Sequence, residues 1–149
     1  TALTSPVDVL AILDRFAKLG KTIWITEYDV NLEDEQLAGQ FTRDFYTTVF
    51  SHPAVGGILM WGFWDGSHWK KQAPLYRKDW SLKPAGEAYR ELVLGQWRTR
   101  VSGKTDAAGD FSTRGFLGSY EVSVTASGKT TSVKLELQAD SVPTRIRLE

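Results

Sequence analysis

Two stretches hold residue types that could do chemistry. The first is Thr22-Ile23-Trp24-Ile25-Thr26-Glu27-Tyr28-Asp29-Val30, a β-rich run ending in carboxylates. Strand side chains alternate, which assigns Ile23, Ile25, Glu27 and Asp29 to one face and Trp24, Thr26, Tyr28 and Val30 to the other. Because both faces are largely apolar, the run reads as a strand buried on two sides, as in a parallel sheet wrapped by helices. A carboxylate on such a strand is costly to bury without a partner. Its presence is explained by a strand-end ion pair, by a turn-forming Asp29, or by a catalytic role. The second stretch, Gly57-Ile58-Leu59-Met60-Trp61-Gly62-Phe63-Trp64-Asp65-Gly66-Ser67-His68-Trp69, is an apolar strand opening into a loop crowded with aromatics. Acid chemistry beside aromatic platforms is what a sugar-cleaving site needs.

These stretches must be positioned by flanking helices. Ser5-Pro6-Val7-Asp8 is a helix start, with an N-cap serine, proline at the first helical position and an acid in the first turn. Leu10, Leu13 and Ala17, with Ile12, Phe16 and Leu19, recur at helical spacing up to Gly20. Leu37, Phe41, Phe45 and Val49 form the stripe of a second helix, with Glu33, Asp34 and Glu35 near its start and His52-Pro53 at its end. Pro84 opens a third, through Ala88, Tyr89, Leu92 and Val93 to Gly95. Helix, strand, helix, strand, helix is the rhythm of parallel α/β architecture.

After Trp97 the pattern changes to short alternating runs at 98–101, 111–113, 120–126, 130–137 and 145–148, with Ser127-Gly128-Lys129 as a hairpin loop. The chain thus divides into an α/β part, 1–97, and a small antiparallel β module, 98–149. A module of about fifty residues buries little core alone, so it is expected to pack on the helical part with Trp97 near the seam, and Phe111, Phe116 and Tyr120 are read as its core.

The chain has 149 residues, six tryptophans and a formal net charge of zero, a globular composition with no electrostatic reason to bind nucleic acid or an anionic membrane. No apolar run is long enough to span a bilayer. The absence of cysteine rules out disulfides and thiolate metal sites. Neither His52 nor His68 has a companion at metal-ligand spacing, so neither a metal nor another cofactor is expected. The start at Thr1 rather than Met reads as an excised portion of something longer.

Four motifs occur in order: Ile25-Thr26-Glu27-Tyr28-Asp29; Trp61-Gly62-Phe63-Trp64; Trp69; and Leu82-Lys83-Pro84-Ala85-Gly86-Glu87-Ala88-Tyr89. Together they resemble the C-terminal portion of a glycoside hydrolase family 10 endo-β-1,4-xylanase. The tail from Thr113 to Val122 is similar to the β module that follows the barrel in plant-type members. The resemblance implies a (β/α)8 barrel in which the two strands are the seventh and eighth, with the site at their C-terminal ends. It further implies a retaining mechanism with two glutamates. Glu27 matches the nucleophile's motif and Asp29 the acid that orients the site, while the acid/base glutamate belongs to an earlier strand that this chain lacks. The implied partners are xylan or xylo-oligosaccharide and the missing N-terminal barrel portion. The implied location is extracellular or in the cell wall.

In the family, tryptophans matching Trp61 and Trp69 wall the sugar subsite at the cleavage point, where C–H faces pack on rings. Trp64 departs from the commoner family pattern, which leaves a subsite role and loop packing both open. His68 is read as a donor to a sugar hydroxyl or as incidental. Trp24, Trp80 and Trp97 are read as packing residues, with Trp24 buried against a helix. Lys70, Lys71 and Arg77 are read as solvated, though within reach of substrate hydroxyls. The competing function is a non-catalytic carbohydrate-binding or interaction fragment in which Glu27 is a relic.

Overall fold

A computed structural model describes residues 3–147, so Thr1 lies outside the described residues. The chain forms two compact units, the first ending at Gln96 and the second beginning at Trp97. In the first, α1 (Pro6–Ala17), β1 (Ile23–Tyr28), α2 (Glu35–Ser51), β2 (Val55–Met60) and α3 (Pro84–Glu91) follow in order, and Leu92–Gln96 continues α3 as a π-helical turn. The helix starts have chemical causes. The Ser5 hydroxyl accepts the Asp8 N–H ahead of Pro6, and the Asp34 carboxylate accepts the N–H groups of Gln36 and Leu37. His52 ends α2 in an extended conformation just before Pro53.

β1 and β2 pair in parallel, with α2 as the crossover. Val9 and Leu13 of α1 and Val49 of α2 form a buried cluster, against which Ile23, Ile25, Phe45, Val55 and Ile58 pack. This burial covers one face of the sheet only, so the expectation of a strand buried on both sides is corrected. α1 and α2 lie on the same side, and within the described residues of the first unit no helix covers the other. Trp24, expected against a helix, is 56% exposed there. Its ring lies over β2 at Gly57, where a Cβ would come within 2.5 Å of it.

The strict alternation expected for β1 also fails. Between the pairs Ile25–Ile58 and Tyr28–Met60, β1 holds Thr26 and Glu27 against Leu59 alone on β2. One extra residue in a strand switches the faces beyond it. Tyr28 therefore falls on the helix side with Ile23 and Ile25. It stacks on Phe45 with ring centroids 4.9 Å apart, meets Tyr46 edge-on at 5.1 Å, and donates its hydroxyl to Thr42 Oγ1 at 2.9 Å. Glu27, its exposed neighbour, turns to the open face that carries Trp24.

In the second unit, β3 (Gly118–Ala126) and β4 (Lys129–Leu137) pair antiparallel in one unbroken register. Ser127 and Gly128 make the turn, with φ of 51° and 78°, the left-handed pair that a tight hairpin requires. Tyr120, Val122 and Val124 oppose Leu135, Val133 and Thr131 on a half-buried face, while hydroxyl pairs Ser123–Ser132 and Thr125–Thr130 line the other. The runs 98–101, 111–113 and 145–147 are not strands, and Leu148 lies outside the described residues. Phe111 and Phe116, expected in a core, are exposed, and Tyr120 is half-buried with its hydroxyl donating to Phe116 O. Within the described residues of this unit a two-stranded ribbon has no second sheet layer to bury them.

Candidate active site

The C-terminal ends of β1 and β2 lie side by side. The main-chain N–H of Trp61 donates to Tyr28 O at 3.0 Å, so the aromatic that ends β2 is tied to the residue after Glu27. Leu59 and Trp61 are exposed, each about half accessible, on the face that β1 shows with Trp24 and Glu27. Among the described residues the Glu27 side chain has no hydrogen bond or ion pair. The ion pair belongs to Asp29 instead: Lys70 Nζ lies 2.8 Å and 3.0 Å from its two carboxylate oxygens. Tyr28, between the two acids, is held neutral. Burial pushes its phenol well above the ordinary value, against the lowering effect of its bond to Thr42, and the nearby Asp29 charge adds to the rise.

The loop after β2 is built by its own polar contacts. Trp69 is 72% exposed. The Lys70 ammonium lies 4.9 Å from its ring centroid, and the His68 ring runs parallel to it at 6.5 Å. His68 itself is only 6% exposed. Its Nδ1 accepts the Lys70 N–H at 3.0 Å, and its ring sits against Gly62, where a Cβ would lie 2.5 Å from Cδ2. His68 Nε2 is buried with no partner among the described residues. His68 thus supports the loop through its Nδ1 and the face of its ring. Trp64 stacks on Trp80 at 5.1 Å and 11°, and its Nε1–H donates to Lys78 O at 3.3 Å.

Of the three cations considered, only Lys70 meets a carboxylate of the site. Lys71 donates to His68 O, and Arg77 pairs with Glu35 and donates to Leu82 O. Lys83 was not singled out from the sequence, although it is 4% exposed and anchors the loop base. Its ammonium donates to Asp65 Oδ1 at 2.8 Å and Lys71 O at 2.7 Å, satisfying a charge that would be costly to bury alone. The signal was an acid within an aromatic loop and a lysine immediately before a helix-opening proline.

The profile of glycosyl hydrolase family 10 matches residues 2–92. The chain belongs to glycosyl hydrolase family 10. This family 10 chain is 35% identical to endo-1,4-beta-xylanase 2 of Arabidopsis thaliana over 127 residues, 84% of the chain and 12% of that relative. It is 44% identical to the anti-sigma-I factor RsgI6 of Acetivibrio thermocellus over 119 residues, 79% of the chain and 16% of that relative. The chain thus spans less than a fifth of either. Xylanase 10B from Thermotoga petrophila RKU-1, solved in complex with xylobiose, is similar in structure with a TM-score of 0.55 and 28% identity, over 61% of this chain and 32% of that one. The family's (β/α)8 barrel is the architecture to which the helix–strand unit is similar.

Proposed function

We propose that this chain supplies the nucleophile-bearing, C-terminal part of a retaining endo-β-1,4-xylanase, with β1 and β2 as the seventh and eighth barrel strands. The observation that carries the reading is Glu27, without a partner among the described residues, on the open sheet face, next to a strand end tied to Trp61 and near a charge-paired Asp29. In this reading Glu27 attacks the anomeric carbon while the glycosidic C–O bond breaks, forming a glycosyl-enzyme. A second carboxyl group protonates the leaving oxygen, then takes a proton from the water that releases the sugar. Asp29 orients the site, and Trp61 and Trp69 offer faces for sugar rings. His68 and Trp64, which brace the loop that carries Trp69, complete the substrate-binding set, His68 through its Nε2 and Trp64 through its ring.

The second carboxyl comes from the N-terminal barrel portion. Retaining chemistry places it about 5–5.5 Å from the nucleophile, whereas Glu35 opens α2 in an ion pair with Arg77, and Glu87 and Glu91 lie on α3, which packs on α2. A polysaccharide substrate goes with an extracellular or cell-wall location. The open face and edges of a two-stranded sheet should make the isolated chain self-associate.

A second reading is favoured by one specific similarity, to a relative named as an anti-sigma-I factor rather than as a hydrolase. There the fragment would bind carbohydrate or a partner without cleaving, and Glu27 would be a relic. Reducing sugar released from xylan separates the two. The chain alone should release none, and the chain mixed with a separately made N-terminal barrel portion should release sugar in a Glu27-dependent way. Xylan binding by the assembled protein without sugar release would favour the second reading.

A further inference from the structure

Trp69 is the most exposed tryptophan of the chain, yet three contacts made by its two neighbours fix its surroundings. Lys70 is held at both ends: its main-chain N–H donates to His68 Nδ1, and its ammonium lies against both oxygens of Asp29. That same ammonium lies over the Trp69 ring, 4.9 Å from its centroid. The pair is sheltered, with the Lys70 side chain 32% and the Asp29 side chain 17% exposed, so water screens it less than a surface pair. Asp29 and Lys70 are 41 residues apart, and their contact joins the loop after β2 to the end of β1.

We propose that Lys70 is a positioning residue that fixes the Trp69 indole beside the Asp29 end of β1, and so sets where a sugar ring stacks relative to Glu27. The second half rests on the reading of Trp69 as a sugar platform. An indole free to swing offers its face in many orientations, and each must be given up on binding, whereas a held ring has lost that freedom beforehand. Arginine can replace both contacts, because its guanidinium pairs with carboxylates and stacks on aromatic faces. Methionine keeps the stem's bulk and loses both.

The test labels the chain with 5-fluorotryptophan and assigns the Trp69 fluorine signal by its loss in Trp69→Phe. Lys70→Met should shift the Trp69 signal and leave those of the other tryptophans in place, and Lys70→Arg should return it close to the original position. Calorimetric titration with xylohexaose, on the chain assembled with the N-terminal barrel portion and carrying Glu27→Gln throughout so that the ligand is not cleaved, should show affinity about tenfold weaker in Lys70→Met, with Lys70→Arg restoring most of it. An unmoved Trp69 signal in Lys70→Met overturns the positioning role whether or not sugar binds. A signal that moves, with no xylohexaose bound by the original protein, upholds the positioning and overturns the sugar platform. Equal xylohexaose affinity in the original protein and Lys70→Met overturns the link between positioning and binding.

Discussion

The main-chain N–H of Trp61 donates to the carbonyl of Tyr28 at 3.0 Å, which locks the end of β2 to the residue that follows Glu27. The bond falls just beyond the extra residue in β1, where the strand turns Tyr28 toward α2 and Glu27 toward the open face. A carboxylate and an aromatic ring are thereby presented from adjacent strand ends.

Glu27→Gln keeps the shape and removes the nucleophile. In the assembled barrel it should lower xylan turnover by about a thousandfold or more. Thermal stability should stay near that of the original, because Glu27 has no partner to lose among the described residues. Near-normal turnover by this variant would sink the assignment of the nucleophile.

Trp24 separates the isolated chain from the assembled one. At 56% exposure its truncation to alanine should cost the isolated chain about 1 kcal/mol. Once other strands cover the open face, the same change becomes a large core truncation costing about 3–5 kcal/mol. Trp69→Ala should leave stability largely intact in both settings and weaken turnover. Urea unfolding of the variants measures this, and equal small losses for Trp24→Ala in both settings would mean that the face stays open.

Tyr28 predicts an alkaline weakness. Its phenol is raised by burial above the ordinary value of 10.0, and that of Tyr46 is raised by burial and by the neighbouring Tyr28 and Tyr89. A raised acid binds its proton more tightly in the folded state. Its contribution is complete below the unfolded value and is lost as pH rises from there toward the folded one. Stability should therefore fall above about pH 10, each tyrosine contributing about 1.4 kcal/mol per pH unit. Tyr28→Phe should flatten that fall, as read by denaturant titrations from pH 8 to 11. A decline equally steep in the variant would show that other groups cause it.

Much of the first unit was legible because its signals are local. Ser5-Pro6 and Asp34 state their helix starts in side-chain chemistry, and the apolar spacing of Leu13 and Val49 points to the face that packs. The bulge was not legible, since nothing in Thr26-Glu27 marks an extra residue until β2 supplies a register to compare. The exposure of Trp24 was hidden for a similar reason, because composition says that a ring prefers burial but not whether a second layer exists to bury it. In the second unit, alternation identified β3 and β4, which have each other as partners, and overcalled the shorter runs, which have none. At the site, the carboxylates and aromatics were visible as residue types. The Asp29–Lys70 pair and the burial of His68 depend on contacts between distant or folded-back segments.

In the proposed mechanism Glu27 forms the covalent bond to the sugar. A 2-fluoro-xylobioside with a dinitrophenolate leaving group tests it directly, since the fluorine slows release of the glycosyl-enzyme and the activated leaving group needs no proton. The assembled barrel is treated with it, digested with trypsin and analysed by mass spectrometry. A fluoroxylobiosyl adduct is expected on the peptide from Thr22 to Arg43, mapped by fragmentation to Glu27 and absent from Glu27→Gln. An adduct on any other carboxylate, or dinitrophenolate release with no adduct at all, would contradict it.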